Sequence, residues 1–199
     1  MIKITNLTVD DVRFPTSKDL TGSDAIHTDP DYSATYVTIN TSDNNLKGFG
    51  IAFTIGKGND IVAQCIKHYF PIIEGLTIDE VEKNIGSLWF KFADHSQLRW
   101  LGPEKGVVHM ALAAVFNALW DIVAKKNQKP LWQFVVESKP ETIMSWLTFK
   151  YIEDVMSKDD AFKILNDNQK FHKERTGQIL KEGYPSYTTA AGWLGYSDE

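Results

Sequence analysis

Between Val107 and Val123 apolar side chains fall on nearly every side of a helical projection. Val107, Val108, Met110, Ala111, Leu112, Ala114, Val115, Phe116, Ala118, Leu119, Trp120, Ile122 and Val123 leave no wide polar stripe. That pattern belongs to a helix surrounded by other elements, so the stretch predicts a central helix from about Lys105 to Lys126, roughly 33 Å long. Gly102-Pro103-Glu104 marks its start, and Lys125-Lys126, Asn127 and then Pro130 mark its end. The run is almost long enough to cross a bilayer. His109, Asn117 and Asp121 lie inside it, however, and each would be costly in hydrocarbon.

Upstream the period shortens to two. Ile2, Ile4, Leu7, Val9 and Val12 have mostly polar neighbours and predict a strand with one face on a core. Pro15 to Tyr32 is a long polar stretch dense in Thr, Ser, Asp, Gly and Pro, and an ordered domain rarely carries such a loop without using it. Ser33–Thr41 and Lys47–Ile55 read as two further strands joined by a turn at Ser42–Asn45, which makes a three-stranded antiparallel meander. Gly48 and Gly50 inside the third strand call for a bulge or a close backbone approach.

Gly56-Lys57-Gly58-Asn59 opens a helix running to about Tyr69, at a spacing that fits neither a dinucleotide fingerprint nor a P-loop. Helical segments at Ile78–Val81 and Ile85–Ala93, the central helix and a short helix after Pro130 complete a small bundle. The expected class is α+β, with a first domain over 1–138: meander 1–55, helical bundle 56–138. In 139–199 the reading is a connecting strand at Met144–Tyr151, a polar helix at about Lys158–Lys181 opened by Ser157 and Asp160, and a strand at Ser186–Ala191. Ser197-Asp198-Glu199 has the composition of a helix start. Strand, loop and helix start describe the first strand of an incomplete β/α barrel, so the chain reads as cut off.

Composition narrows the function classes. With 21 basic and 26 acidic residues the net charge is −5 and basic residues form no run longer than a pair, which argues against nucleic acid. Cys65 is the only cysteine, so neither an intramolecular disulfide nor a cysteine metal cage is available, and its apolar helical setting makes it a core filler. The amino-terminal stretch has no secretory apolar region and is too acidic for a typical transit peptide, so a cytoplasmic location and no membrane are expected.

Asn117-Ala118-Leu119-Trp120-Asp121, followed by Ala124-Lys125 and Lys129-Pro130-Leu131-Trp132, resembles the end of the amino-terminal capping domain of the enolase superfamily, mandelate racemase type. Asp11–Ser17, His27–Ala34, Phe53–Gly58, Gln97–Trp100, Gly102–Gly106, Gly183–Pro185 and Tyr187–Tyr196 extend the resemblance to the L-fuconate dehydratase family in particular. The match runs in order along the whole chain and covers the first half of that family's length.

The resemblance implies that Gly22, Ser23 and Asp24 in the long loop, with Tyr32 after it, contact a sugar acid as the loop closes over a barrel mouth. Asp24 suits sugar hydroxyls and Tyr32 offers an apolar face with a polar tip; a solvated loop carboxylate and a half-buried tyrosine are the plain alternatives. His27 beside Thr28-Asp29-Pro30-Asp31 matches no metal cage. His95, His109 and His172 read as ordinary polar residues, Arg99-Trp100 as a stacked cation, and Trp89, Trp120 and Trp132 as core. Thr188, Thr189 and Trp193 are candidate barrel-mouth contacts.

The family dehydrates sugar acids with Mg²⁺ and a barrel base. Neither the base nor a metal ligand is identified in this chain, and the ion is expected on the missing barrel. The chain alone is therefore expected to be inactive. Its implied partners are its own carboxy-terminal barrel, a sugar-acid substrate and, at full length, further copies in a homo-oligomer. The other readings are a non-catalytic truncated paralogue or interaction module, and a half complemented by a separate barrel chain.

Overall fold

In a computed structural model of the protein, residues 1–98, 100–101, 106–186 and 194–195 are described. Three strands, β1 (Ile4–Arg13), β2 (Ser33–Thr41) and β3 (Lys47–Thr54), form an antiparallel sheet in the order β1-β2-β3. Arg13 stands opposite Ser33 and Ser33 opposite Thr54, so the long loop after β1 and the turn after β3 leave the sheet at one end. The expected meander is present, with an irregularity between Ile4 and Asn6 rather than in β3.

Seven α-helices follow among the described residues: α1 (Asn59–Ile73), α2 (Ile78–Ala93), α3 (Val107–Lys126), α4 (Leu131–Glu137), α5 (Pro140–Trp146), α6 (Lys158–Asn168) and α7 (His172–Glu182). α3 is the central helix the apolar pattern predicts, packed against β3, α1 and α2. It is long and apolar enough to cross a membrane by length and composition. In the structure its apolar side chains are spent on the core, where Ala111, Leu112, Ala114, Val115, Ala118, Leu119, Ile122 and Val123 are fully buried.

Gly48 and Gly50 explain how α3 gets so near the sheet. A Cβ on Gly50 would lie 1.9 Å from the Ala114 carbonyl oxygen, and one on Gly48 would lie 2.1 Å from that of Ala118. Only hydrogen fits at those two places. Of the two devices expected in β3, the close approach is the one found.

Several expected boundaries move. α1 runs past Tyr69 and through Pro71, because fully buried Ile73 gains more from the core than the last turn loses at proline. The two short segments at 78–93 form one helix, opened by a Thr77–Glu80 capping box. Gly86 does not break it; a Cβ there would lie 2.3 Å from the Ser145 carbonyl oxygen, so this glycine admits α5.

The strand expected at Met144–Tyr151 is not formed. Pro140 and Glu141 start a helix instead, and Trp146 packs edge-on against Trp120 at 5.0 Å. A short apolar run cannot tell strand from helix, and here packing decided. The helix expected at 158–181 is divided into α6 and α7 by a 3-10 turn at Gln169–Phe171. Ser186 lies in no strand, and 187–191 are outside the described residues.

Candidate functional site

Phe14 to Tyr32 leaves the sheet and returns to it without a strand of its own, so side chains have to hold it. The Thr16 hydroxyl donates to the Pro30 carbonyl (2.8 Å) and accepts from the Tyr32 amide (2.9 Å). The Ser17 amide and hydroxyl donate to Asp31 Oδ1 (3.1 and 2.7 Å), and these bonds hold the Asp31 carboxyl below the usual carboxylate range. The loop's two limbs are thereby closed near their base.

At the tip, Asp24 Oδ1 accepts from the amides of Ile26 (2.8 Å) and His27 (2.7 Å), while the Asp24 amide donates to the His27 carbonyl (2.9 Å). This is a side-chain-closed turn. The His27 amide first, then that of Ile26, depresses the Asp24 pKa. Oδ1 is thus committed to the loop. Oδ2 meets His27 Nδ1 at 3.4 Å on a half-exposed side chain.

Gly22, Ser23 and Tyr32 are brought together. Gly22 has φ +75°, and a Cβ there would lie 2.5 Å from the Tyr32 ring. The Tyr32 hydroxyl donates to the Gly22 carbonyl at 3.4 Å, and its ring meets Phe53 edge-on at 5.3 Å. Ser23 is fully buried, and its hydroxyl has no hydrogen-bond partner among the described residues. Its carbonyl accepts from the Leu194 amide at 2.8 Å, so the tip rests on the segment just after the candidate contacts Thr188, Thr189 and Trp193. Those three lie outside the described residues.

Beside the loop is a cavity of about 700 Å³. Phe14, Ile26, His27 and Asp31 line one wall, and Ile55, Gly56 and Lys57 line the other. The Asp31 amide donates to the Ile55 carbonyl (3.1 Å) and joins the walls. Loop and turn together have the shape of a cover, an apolar-and-polar concavity at one end of a meander-and-bundle scaffold. Among the described residues no group of three or more His, Cys, Asp or Glu side chains is placed to hold a metal ion.

The wall-to-wall bond, the Thr16 clasp and the buried Asn59 next to Gly58 were not found from sequence. Their partners lie 14 to 48 residues apart, and no local pattern announces them. The Asp24 turn is different, since an Asp whose own amides close around it is a local signal. Of the remaining candidates, Arg99 lies outside the described residues, and Trp100 is 90% exposed. Trp89, Trp120 and Trp132 are partly rather than wholly buried. His109 Nδ1 is buried without a partner among the described residues.

A three-stranded antiparallel sheet with helices on one face and a long loop between its first two strands matches an enolase-type amino-terminal capping domain. The mandelate racemase / muconate lactonizing enzyme N-terminal domain profile matches residues 20–135. The chain is 46% identical over 198 residues to human mitochondrial enolase superfamily member 1, covering 99% of this chain and 45% of that protein. It is 42% identical over 199 residues to an L-galactonate dehydratase of Hypocrea jecorina, covering 44% of that protein. The crystal structure of the human relative superposes with a TM-score of 0.93 over 98% of this chain and 45% of its own. A structure of an L-talarate/galactarate dehydratase variant liganded with Mg and L-glucarate, at 15% identity and TM-score 0.53, shares the fold alone. The chain belongs to the enolase superfamily and corresponds to its amino-terminal domain. It spans 44–45% of the length of these curated relatives.

Proposed function

We propose that the chain is the substrate-covering part of a sugar-acid dehydratase, acting on a six-carbon acid of the L-galacto series. L-Fuconate and L-galactonate share that configuration and differ only at carbon 6, a methyl in one and a hydroxymethyl in the other. The observation that carries the reading is the loop tip of Gly22, Ser23, Asp24 and Tyr32, closed on itself and seated on Leu194. The 42% identity to a protein named for L-galactonate dehydration points the same way.

The reaction removes the proton next to the carboxylate and a hydroxide from the neighbouring carbon, giving a 2-keto-3-deoxy acid. Mg²⁺ suits such chemistry because it stabilises the charge that develops on the carboxylate. The described residues do not fit a magnesium centre, and ion and base are assigned to a barrel outside them. What this chain supplies is cover. The loop excludes water, and Asp24 Oδ2 and the Tyr32 ring discriminate among hydroxyl patterns.

The test joins the chain to the barrel half of the L-galactonate dehydratase. The 199-residue chain with Mg²⁺ and either acid is expected to form no 2-keto-3-deoxy acid, while the joined protein turns one of them over. In the joined protein Asp24→Ala raises KM several-fold and lowers the melting temperature by no more than a few degrees, the share of the loop turn it opens. Asp24→Asn, which keeps Oδ1 for the turn, separates loss of charge from loss of the turn. A folded joined protein inert to all sugar acids would refute the reading. That result would favour a binding module, to which the exposed Tyr36, Phe49, Ile51 and Phe53 on the outer sheet face also point.

A further inference from the structure

Five residues close a ring of hydrogen bonds at the end of the sheet from which both cavity walls depart. The Thr54 hydroxyl donates to Asn59 Oδ1 (2.6 Å), and Asn59 Nδ2 donates to Asp11 Oδ1 (2.8 Å). Arg13 grips the same carboxylate with two nitrogens, Nε on Oδ1 at 2.9 Å and Nη2 on Oδ2 at 2.7 Å. Its third nitrogen, Nη1, donates to the Gly56 carbonyl (3.0 Å), and the Gly56 amide returns to the Thr54 hydroxyl (3.3 Å). Every donor in the ring meets an acceptor. The Asn59 amide has one sensible orientation, since flipping it would set two oxygens face to face at Asp11.

The placement of this ring is unusual for a core. Asn59 is fully buried, and its backbone carbonyl also takes the Thr35 hydroxyl (3.2 Å), so β1, β2, β3 and α1 all meet at one residue. Burying an amide costs free energy unless it is satisfied, and an apolar residue would fill the space without that demand. Arg13 is the last residue before the covering loop and Gly56 lies in the opposing turn, and both line the cavity. The Asp31 amide bond to Ile55 spans the gap between the walls.

We propose that Asn59 is a positioning residue: through the Thr54–Asn59–Asp11–Arg13–Gly56 ring it locks the roots of the covering loop and of the 55–58 turn together, so the two cavity walls move as one body. The inference rests on reading the loop as a substrate cover. Removing the ring leaves the core intact and frees one wall from the other.

The test is hydrogen exchange at single amides in the 199-residue chain, without substrate. Asn59→Asp removes the donor and sets a second carboxylate against Asp11. At pH 7 it is expected to speed exchange of the Asp31 amide by about tenfold or more while amides in the middle of α3 stay within about twofold. Asp11→Asn combined with Asn59→Asp restores one donor and one acceptor across the same gap and is expected to return Asp31 to near its original rate. Should Asn59→Asp fail to fold, Arg13→Gln severs the tether to Gly56 from a half-exposed side chain and is expected to act in the same direction. Unchanged Asp31 exchange overturns the proposal. So does acceleration of Asp31 and α3 together, which would make the ring a support of the whole fold, or a folded double variant without rescue. No sugar acid is present, so failure of the dehydratase reading leaves these rates untouched and shows only in the turnover assay.

Discussion

The Tyr69 side chain is fully buried on α1 and stacked on Phe92 with ring centroids 4.6 Å apart, yet its hydroxyl has no hydrogen-bond partner among the described residues. Burial accordingly pushes its pKa well above the ordinary tyrosine value. A buried hydroxyl without a partner opposes folding, so Tyr69→Phe is expected to stabilise the chain by about 1 kcal/mol, read as a higher urea midpoint at unchanged m. A lower midpoint would reveal a partner for the phenol. Gly22 is the opposite case. Alanine there must hold a positive φ and overlap the Tyr32 ring, and about 2 kcal/mol of destabilisation is expected. Tyr32→Ala in the same chain should recover the steric part and leave the backbone part. Neither relation was legible in the sequence. The resemblance pointed to Gly22 and Tyr32 as neighbours of a substrate, but that one dictates the other across ten residues is a fact of packing. The Asp24 turn has its own pH signature. The pKa is depressed in the folded chain, so the stability it adds is fully present above the ordinary value of 3.8 and is lost as pH falls through the lower folded value. Exchange of the Ile26 and His27 amides should therefore quicken only in that acid window, ahead of the core.

Among elements, the pairing of α3 with β3 carries most of the design. The apolar positions on all sides of 107–123 made α3 legible, and the two glycines made the close approach legible, because both are local patterns with one physical meaning. What the chain did not announce is how the free edge of β3 is closed. Asp121 Oδ2 accepts from the Phe49 amide at 2.9 Å, and Lys125 Nζ donates both to that carboxylate (2.5 Å) and to the Lys47 carbonyl (2.9 Å). An i,i+4 pair on the helix thus occupies backbone groups that would otherwise invite another strand. Asp121→Ala leaves the Phe49 amide open. The expected result is a loss of about 1–2 kcal/mol in stability together with concentration-dependent aggregation. Stability lost without any rise in aggregation would confine the aspartate to fold support. In α5 the local pattern has two physical meanings, since a short apolar run such as that from Met144 suits strand or helix, and the contacts of Trp146 with Trp120 and Phe134 fix the helix.

Over the whole molecule the sheet has two unlike faces. Val37 and Ile39 face the helices and are buried, whereas the opposite face carries Tyr36 (43% exposed), Phe49 (55%), Ile51 (42%) and Phe53 (54%). Burial alternates strictly along β3, and a face of that composition is usually covered, but here it is open. Tyr36 and Ile51 are cross-strand partners at its centre. Threonine suits a strand at both positions while removing most of the pair's apolar area. The 199-residue chain is expected to associate reversibly as its concentration rises, and the Tyr36→Thr, Ile51→Thr variant is expected to sediment as a monomer at concentrations where the parent does not. Since neither side chain contributes to the buried core, the variant's melting temperature should stay within a few degrees of the parent's. Equal association in parent and variant would move the sticky surface elsewhere, to the exposed Ile164, Leu180 and Tyr184 of the carboxy-terminal helices and the residues after them. A large fall in melting temperature would mean that the outer face is held by contacts the fold does not display.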